Sequence, residues 1–275
     1  MAGFSAKRCG QMLAGRFRLY LRSTRTYVAL AYVIVMAATA TIAFRRHAAT
    51  FGQVFNAFEP FVYFFSNVAT VALPTGGIFI ALCDVARLSP DSLYTLIRCR
   101  RSEWWVAELL FTLIVTVCFY IIMLLFSMLL VMSDSYLKDT WSVFSSASAY
   151  GHSNLSLIAT AYSTPITAAL FTLLFQTLHA FTLVQITMTA NIVTNRGRGA
   201  ALAVMVEIVC YCMSLFGMSW FRPFSIFDRS LLMMNGMNTA MTWQTIAFYA
   251  LLFAIAIVIQ KTALKRYCFV SSKSE

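Results

Sequence analysis

Four polar residues within otherwise apolar stretches are the first candidates for chemistry in this chain. Thr172, Gln176 and His179 follow one another at helical spacing, so they share one face of a predicted helix. Glu207 is the one acidic residue that lies clearly inside another apolar stretch, where a charge surrounded by lipid costs about 2.5 kcal/mol or more. Such groups either line a polar pathway or hydrogen-bond two helices together, and both interpretations stay open.

Catalysis by the chain itself is not indicated. The three histidines, His47, His152 and His179, lie in different segments, so the sequence does not gather acids, bases and nucleophiles. It contains no HExxH, no Gly-x-Ser-x-Gly and no GxxxxGK followed by Ser or Thr. We therefore expect no enzyme activity, no metal site and no cofactor in this chain alone, and any energy source must come from a partner.

The composition predicts which elements position these residues. The chain is 60% hydrophobic and only 11% charged, with a mean hydropathy of +0.75, so lipid must be its main solvent. The net charge of +11 does not indicate nucleic-acid binding, because the basic residues cluster beside the ends of apolar segments. We expect a single all-α domain over residues 1–275, built as a polytopic membrane protein.

Six apolar segments are long enough to cross a bilayer, and their flanking charges predict an orientation. The predicted spans are Tyr27–Phe44, Phe61–Leu82, Trp105–Met132, Pro165–Val193, Ala200–Phe221 and Trp243–Ile259. With the N-terminus inside, only Arg45, Arg46, Lys138, Arg222 and Arg229 of the 21 Lys and Arg residues lie outside. This bias predicts a multi-pass protein of the plasma membrane with both termini in the cytoplasm.

The segment Arg8–Thr26, before the first span, has helical spacing of apolar residues. Met12 and Phe17 fall on one side of it, while Arg18 and Arg22 fall on another. This pattern predicts an amphipathic helix that lies on the inner leaflet. The alternative is a basic tail that only enforces orientation.

Pro74, Gly76 and Gly77 interrupt the second predicted span toward its inner end. A missing amide and two residues without side chains weaken the helical hydrogen-bond ladder, so we expect a kink or local unwinding there. The kink is a candidate hinge, although membrane helices also carry Pro and Gly without a mechanical role.

The loop over residues 87–101, between the second and third spans, reads as a short capped helix. Ser89 suits the N-cap, Pro90 the first helical position, and Asp91 the positive end of the helix dipole. The residues expected to contact another protein are Leu93, Tyr94 and Ile97 on one side, followed by Arg98, Arg100 and Arg101. Such a helix fits a groove on another protein; the alternative is a connector with stop-transfer arginines.

The last predicted external stretch, Phe221–Thr242, is too apolar for an ordinary loop. We expect it to fold back against the membrane surface or the other spans, as a re-entrant or interfacial element.

In this order of elements the chain resembles the membrane permease of an ATP-binding-cassette exporter of the second type, the ABC-2 family. The likeness covers nearly the whole chain and rests on layout: a basic amphipathic helix, six spans, a cytoplasmic helix after the second span and an apolar stretch before the sixth. The segment Tyr94–Trp105 is similar to the family's basic patch followed by a tryptophan that opens the third span.

This resemblance implies a subunit that moves a substrate out of the cytoplasm by alternating access. It implies pairing with a second permease copy or a homologue, and with two cytoplasmic ATPase subunits that bind ATP and Mg. In the family the helix after the second span couples to the ATPase, which assigns that role to Ser89–Arg98, and the amphipathic segment Arg8–Thr26 corresponds to the connecting helix. An amphipathic or hydrophobic substrate is expected, such as a peptide, toxin, drug or lipid.

Two other functions fit the same topology. One is a non-transporting membrane sensor, or an immunity protein that sequesters a peptide at the bilayer. The other is the membrane component of an ATP-driven vitamin uptake system, which also meets its ATPases through a cytoplasmic helix. A neighbouring ATPase reading frame would favour the transport functions.

Overall fold

The computed structural model describes residues 5–50, 52, 54–86, 100–146, 163–194, 197–231 and 239–266. In chain order its elements are α1 (Ala6–Arg22), α2 (Thr24–Thr50), β1 (Phe55–Asn56), α3 (Glu59–Ser66), α4 (Val68–Val71), α5 (Leu73–Leu82), α6 (Arg101–Val131), β2 (Ser135–Tyr136), α7 (Val143–Ser146), α8 (Pro165–Thr194), α9 (Gly199–Leu215), a 3-10 turn (Arg222–Phe224), α10 (Ile226–Ser230) and α11 (Thr239–Arg266).

Long apolar helices make up most of this structure. Four of them, α2, α6, α8 and α11, are long and apolar enough to cross a membrane, and the bent pair of α3 with α4–α5 makes a fifth if it counts as one span. The mostly helical architecture expected from the sequence is therefore confirmed, and its four to five long apolar helices are compatible with a polytopic membrane protein, whereas the number of six spans is not confirmed. The predicted all-α class needs one small addition, because β1 and β2 form a two-residue parallel pair.

The second predicted span is broken near its start. Between Glu59–Ser66 and Val68–Leu82 the chain bends by 96° at Asn67. The Asn67 side chain accepts a hydrogen bond from the backbone N–H of Ala69 at 2.9 Å, which caps the helix that follows. A single polar residue thus ends one apolar helix and begins the next.

One end of the bundle gathers the start of α2, the end of α5, the start of α6 and the end of α8. Arg25 forms an ion pair with Asp84. From α8, the side-chain amide of Asn191 donates to the carbonyl of Val85 at 2.9 Å. Arg101 and the last turn of α11 lie at the same end. We call it the basic end because Arg25 and Arg101 lie there.

The opposite end joins the loops between the helices. Arg45 forms an ion pair with Asp134, and β1 pairs with β2 beside them. The buried Glu59 accepts hydrogen bonds from the backbone N–H of Ser142 at 2.6 Å and from its hydroxyl at 2.7 Å. The helices therefore alternate in direction between two ends, as the alternating spans of the sequence predict.

Burial differs sharply between the long helices. In the most apolar window of α8, 61% of the residues are buried, against 11% in α11. Helix α8 packs on α6, α9 and α11, so it lies at the centre, while most of the α11 surface is exposed. Tyr120 of α6 is fully buried and meets the ring of Phe65 edge-on at 5.9 Å.

Helix α9 ends earlier than the predicted fifth span, Ala200–Phe221. It stops at Leu215, and the chain turns at Gly217, whose φ of +67° favours glycine. The following 3-10 turn and α10 return toward the bundle, where α10 packs on α8 and α9 with Ile226 and Phe227 buried.

Candidate functional site

Most of the predicted contact residues for a partner lie outside the described residues. These are Ser89, Pro90, Asp91, Leu93, Tyr94, Ile97 and Arg98. Arg100 and Arg101 are described: Arg100 is the N-cap of α6 and Arg101 is its first residue. Their surroundings show where the predicted segment joins the bundle.

The start of α6 is bonded to two other elements. Glu103 accepts a hydrogen bond from the backbone N–H of Ser5 at 2.9 Å and from that of Arg100 at 3.3 Å. The guanidinium of Arg101 donates to the carbonyl of Leu264 at 3.0 Å. The first turn of α6, where the predicted partner-binding segment enters the helix, is thus connected to α1 through Glu103 and to α11 through Arg101.

The amphipathic helix docks on the protein as well as presenting a basic face. Arg16 of α1 forms an ion pair with Glu108 of α6 at 2.6 Å, and a second guanidinium nitrogen donates to the other carboxylate oxygen at 2.9 Å. Phe17 and Tyr20 meet the ring of Phe111 edge-on, at 5.1 and 5.4 Å between ring centres. The apolar side of α1 is therefore placed against α6.

Glu108 corrects the expectation that Glu207 alone among the acidic residues lies clearly inside a predicted span. Glu108 falls within Trp105–Met132 and its side chain is 1% exposed. Sequence reasoning missed it because its partner Arg16 precedes it by 92 positions. A carboxylate one turn into an apolar segment was itself a usable signal, since such groups need a partner.

Glu108→Gln is expected to loosen α1 and to speed the alkylation of Cys9. Burial, and secondarily the Glu103 carboxylate, raises the pKa of the Cys9 thiol, so little reactive thiolate is present while α1 is docked. Loss of a charged hydrogen bond worth about 1.5–3 kcal/mol makes local opening roughly tenfold or more frequent. Mass spectrometry of maleimide-treated protein at pH 7 measures the Cys9 rate. Arg18→Gln serves as the control, and equal rates in Glu108→Gln and the parent protein would contradict the docking.

The predicted polar stripe lies in the interior. Thr172, Gln176 and His179 are each at most 1% exposed on α8, and Glu207 of α9 is 5% exposed. His179 Nε2 and Glu207 Oε2 are 2.9 Å apart. The amide of Gln176 donates to the carbonyl of Ser230 at 3.1 Å. The structure thus brings the four predicted residues together, and His179 and Gln176 join α8 to α9 and α10.

Several polar atoms of this region have no hydrogen-bond partner among the described residues. They are Thr172 Oγ1, Gln176 Oε1, His179 Nδ1, Glu207 Oε1 and the hydroxyl of Tyr120. Tyr120 lies close enough to Glu207 for the two groups to interact electrostatically. We call these five residues the central polar cluster. Buried polar atoms are normally bonded, so the cluster has capacity for water or for a polar group of a ligand.

The hinge candidates lie in and around α5. Pro74 is in the first turn of α5, directly after the interruption at Ala72 that separates α4 from α5. Gly76 and Gly77 are inside the helix, and a Cβ at Gly77 would come within 2.6 Å of the Phe119 ring. The largest bend lies upstream at Asn67. The two glycines therefore permit close packing of α5, and a hinge motion stays a prediction.

A second polar network was missed by sequence reasoning. The indole N–H of Trp105 donates to Gln260 at 2.7 Å, and the Gln260 amide donates to Gln185 at 3.1 Å and to Thr189 at 2.8 Å. It connects α6, α11 and α8 toward the basic end. Two glutamines within apolar helices were the available signal.

Among the described residues, no group of three or more His, Cys, Asp and Glu side chains could hold a metal ion. Comparison with protein-family models, curated proteins and solved structures finds no match to this chain. The functional argument therefore rests on the residues and their geometry.

Proposed function

We propose that the chain is the transmembrane subunit of an ATP-driven exporter of the ABC-2 type. The observation that carries this proposal is the position of α6. It begins at Arg101, directly after the predicted coupling segment, it holds α1 through the Arg16–Glu108 ion pair, and it contributes Tyr120 to the central polar cluster. A movement imposed on the coupling segment would therefore reach both the amphipathic helix and the bundle interior through one helix.

Six crossings are compatible with this architecture. The bent pair α3 with α4–α5 serves as the second span. Helix α9, with 17 residues, is about 26 Å long and serves as the fifth, close to the hydrocarbon thickness of about 30 Å. The apolar residues of the 3-10 turn and α10 then form the external re-entrant element before the last span, and both termini lie in the cytoplasm.

The proposed mechanism is alternating access. Closure of two partner ATPases on ATP and Mg pushes the coupling helices of two permease copies, and each α6 transmits the movement to the helices packed on it. Those helices include α2 and α8. Separation of α8 from α9 would open the central polar cluster, where the unpartnered atoms would meet the polar part of an amphipathic substrate.

Variants of the coupling segment test this proposal in the complex isolated with its ATPase. Asp91→Ala and Tyr94→Ala are expected to lower Mg-ATP hydrolysis about tenfold, because a poorly docked coupling helix weakens communication with the ATPase. Arg18→Ala, on the polar side of the amphipathic helix, serves as the control. Unchanged hydrolysis in both coupling variants would contradict the assignment of Ser89–Arg98.

A further inference from the structure

A wide apolar crevice lies along α8, between α9 and α11. It encloses about 830 Å³, with α8 as its floor and with α9 and α11 as its walls. Val206 and Val209 line one wall, and Leu252 and Ala256 the other. Met205 and Ile255, which also line it, are 63% and 47% exposed, so the crevice opens sideways toward the surroundings of the bundle.

The crevice has the length of one leaflet. Its lining on α9 runs from Leu202 to Cys210, about 12 Å along the helix axis, and continues past the end of that helix. Half of a bilayer's hydrocarbon core is about 15 Å thick. Phe221 and Phe224 line it beyond the end of α9, away from the basic end. An extended hydrocarbon chain from one leaflet therefore matches both its length and its apolar lining.

An unused hydrogen-bond donor faces this crevice. Gln185 lines it and is 3% exposed; its carbonyl oxygen accepts from Gln260, while its amide nitrogen has no partner among the described residues. Gln185 lies about 13 Å from the end of α8, and α8 is about 45 Å long against a hydrocarbon core of about 30 Å. If most of the about 15 Å by which α8 exceeds the hydrocarbon core projects at the basic end, this amide lies at the level of lipid ester groups.

The charge at the basic end is complementary to an anionic headgroup. Arg198 precedes the crevice residue Leu202 by one helical turn, at the start of α9, and is exposed. Its guanidinium can reach a phosphate at the mouth of the crevice. The apolar walls of the crevice therefore suit an acyl chain, the buried Gln185 amide suits an ester carbonyl, and Arg198 at the opening suits a phosphate. These groups follow one another in the same order as in a phospholipid.

We infer that the crevice between α9 and α11 binds a phospholipid with an anionic headgroup, which enters sideways from the bilayer. Its acyl chain lies between α9 and α11 on the side of Gln185 that is away from the basic end, an ester carbonyl accepts from the Gln185 amide, and its phosphate contacts Arg198. The site requires that the chain lie in a membrane, but it does not depend on ATP-driven transport. A failed lipid test would therefore leave the proposed transport function untouched.

Native mass spectrometry of the full chain in detergent tests this site. Phosphatidylglycerol is titrated into the protein, with phosphatidylcholine in parallel. Ala256→Phe fills the crevice and should weaken phosphatidylglycerol binding about tenfold, as expected when about two methylene groups are displaced. Ala254→Phe is the matched control, because Ala254 is exposed on the same helix and does not line the crevice. Arg198→Gln should reduce the preference for phosphatidylglycerol over phosphatidylcholine.

The unmodified protein supplies a second measurement. Phosphatidylglycerol with a photoactivatable acyl chain should label peptides from α9 and α11 around Val206 and Leu252. Equal binding by Ala256→Phe and Ala254→Phe, or labelling spread evenly over the exposed faces of α2 and α6, would overturn the inference. A shift of Ala256→Phe from dimer to monomer without a change in lipid binding would also overturn it, because a second copy would then occupy the crevice.

Discussion

Replacement of Gly199 by Ala is expected to cost about 3 kcal/mol or more of unfolding free energy. A Cβ at Gly199 would lie 2.0 Å from the carbonyl oxygen of Thr187 and 2.7 Å from Oδ1 of Asn191. The first of these atoms belongs to the backbone of a helix, so it cannot turn aside. Helix α9 would have to move away from α8.

The same substitution would break a chain of hydrogen bonds at the basic end. The Gly199 N–H donates to Asn191 Oδ1 at 2.8 Å, and the Asn191 amide donates to the carbonyl of Val85. Val85 lies shortly before the predicted coupling segment. We therefore expect Gly199→Ala to lower both stability and any activity that depends on that segment.

Thermal unfolding in mild detergent measures this effect, with Gly15→Ala as the matched control. A Cβ at Gly15 meets nothing within 4 Å, and Gly15 is inside helix α1. Alanine there should be neutral or stabilise by up to about 1 kcal/mol. Equal stability of Gly199→Ala and Gly15→Ala would contradict the close contact between α8 and α9 at Gly199.

The second large effect concerns the buried pair His179 and Glu207. His179→Leu and Glu207→Leu should each destabilise by about 3 kcal/mol, because each leaves a buried polar partner without its counterpart. The double variant should recover most of this loss, since it removes both polar groups together. The expected signature is therefore a strongly non-additive cycle.

Unfolding free energies of the four proteins in the cycle measure the coupling. Ile208→Leu, at a position 54% exposed on the same helix, is the control for changes of side-chain shape in α9. Additive losses, or single variants within about 0.5 kcal/mol of the parent, would contradict a direct His179–Glu207 interaction. If the double variant is stable but no longer transports substrate, the pair has a role in the transport pathway in addition to its role in packing.

Apolar runs in the sequence located the long helices well. The predicted span Pro165–Val193 corresponds to α8, Pro165–Thr194, and Trp105–Met132 to α6, Arg101–Val131. The predicted amphipathic helix Arg8–Thr26 overlaps α1, Ala6–Arg22. Length and hydropathy suffice for such elements, because lipid-facing and core-facing positions are both apolar.

Breaks inside apolar segments were harder to predict. The 96° bend at Asn67 lies within the run Phe61–Leu82, whose continuous hydropathy hides a helix cap made by one side chain. The early end of α9 depends on the turn at Gly217, a residue that the run Ala200–Phe221 included as helical. A hydropathy value is an average over many residues, so it does not detect the single residues that end a helix or start a turn.

The candidate site was predictable as a stripe but not as a set of contacts. Helical periodicity places Thr172, Gln176 and His179 on one face, yet the pairing of His179 with Glu207 joins positions 28 apart and depends on how α8 packs against α9. Pairing across such a distance is a property of tertiary packing, which a single sequence does not encode locally. The role of Ser89–Arg98 stays a prediction.

The central claim is that this chain works only with a separate ATPase. The most direct measurement is Mg-ATP hydrolysis by the tagged chain purified in mild detergent from its native membranes, compared with the chain expressed alone. We predict hydrolysis that elutes with the tagged chain, carried by a second polypeptide with a phosphate-binding loop, and none from the chain alone. A chain that transports an amphipathic substrate in liposomes without any ATPase subunit would contradict the account.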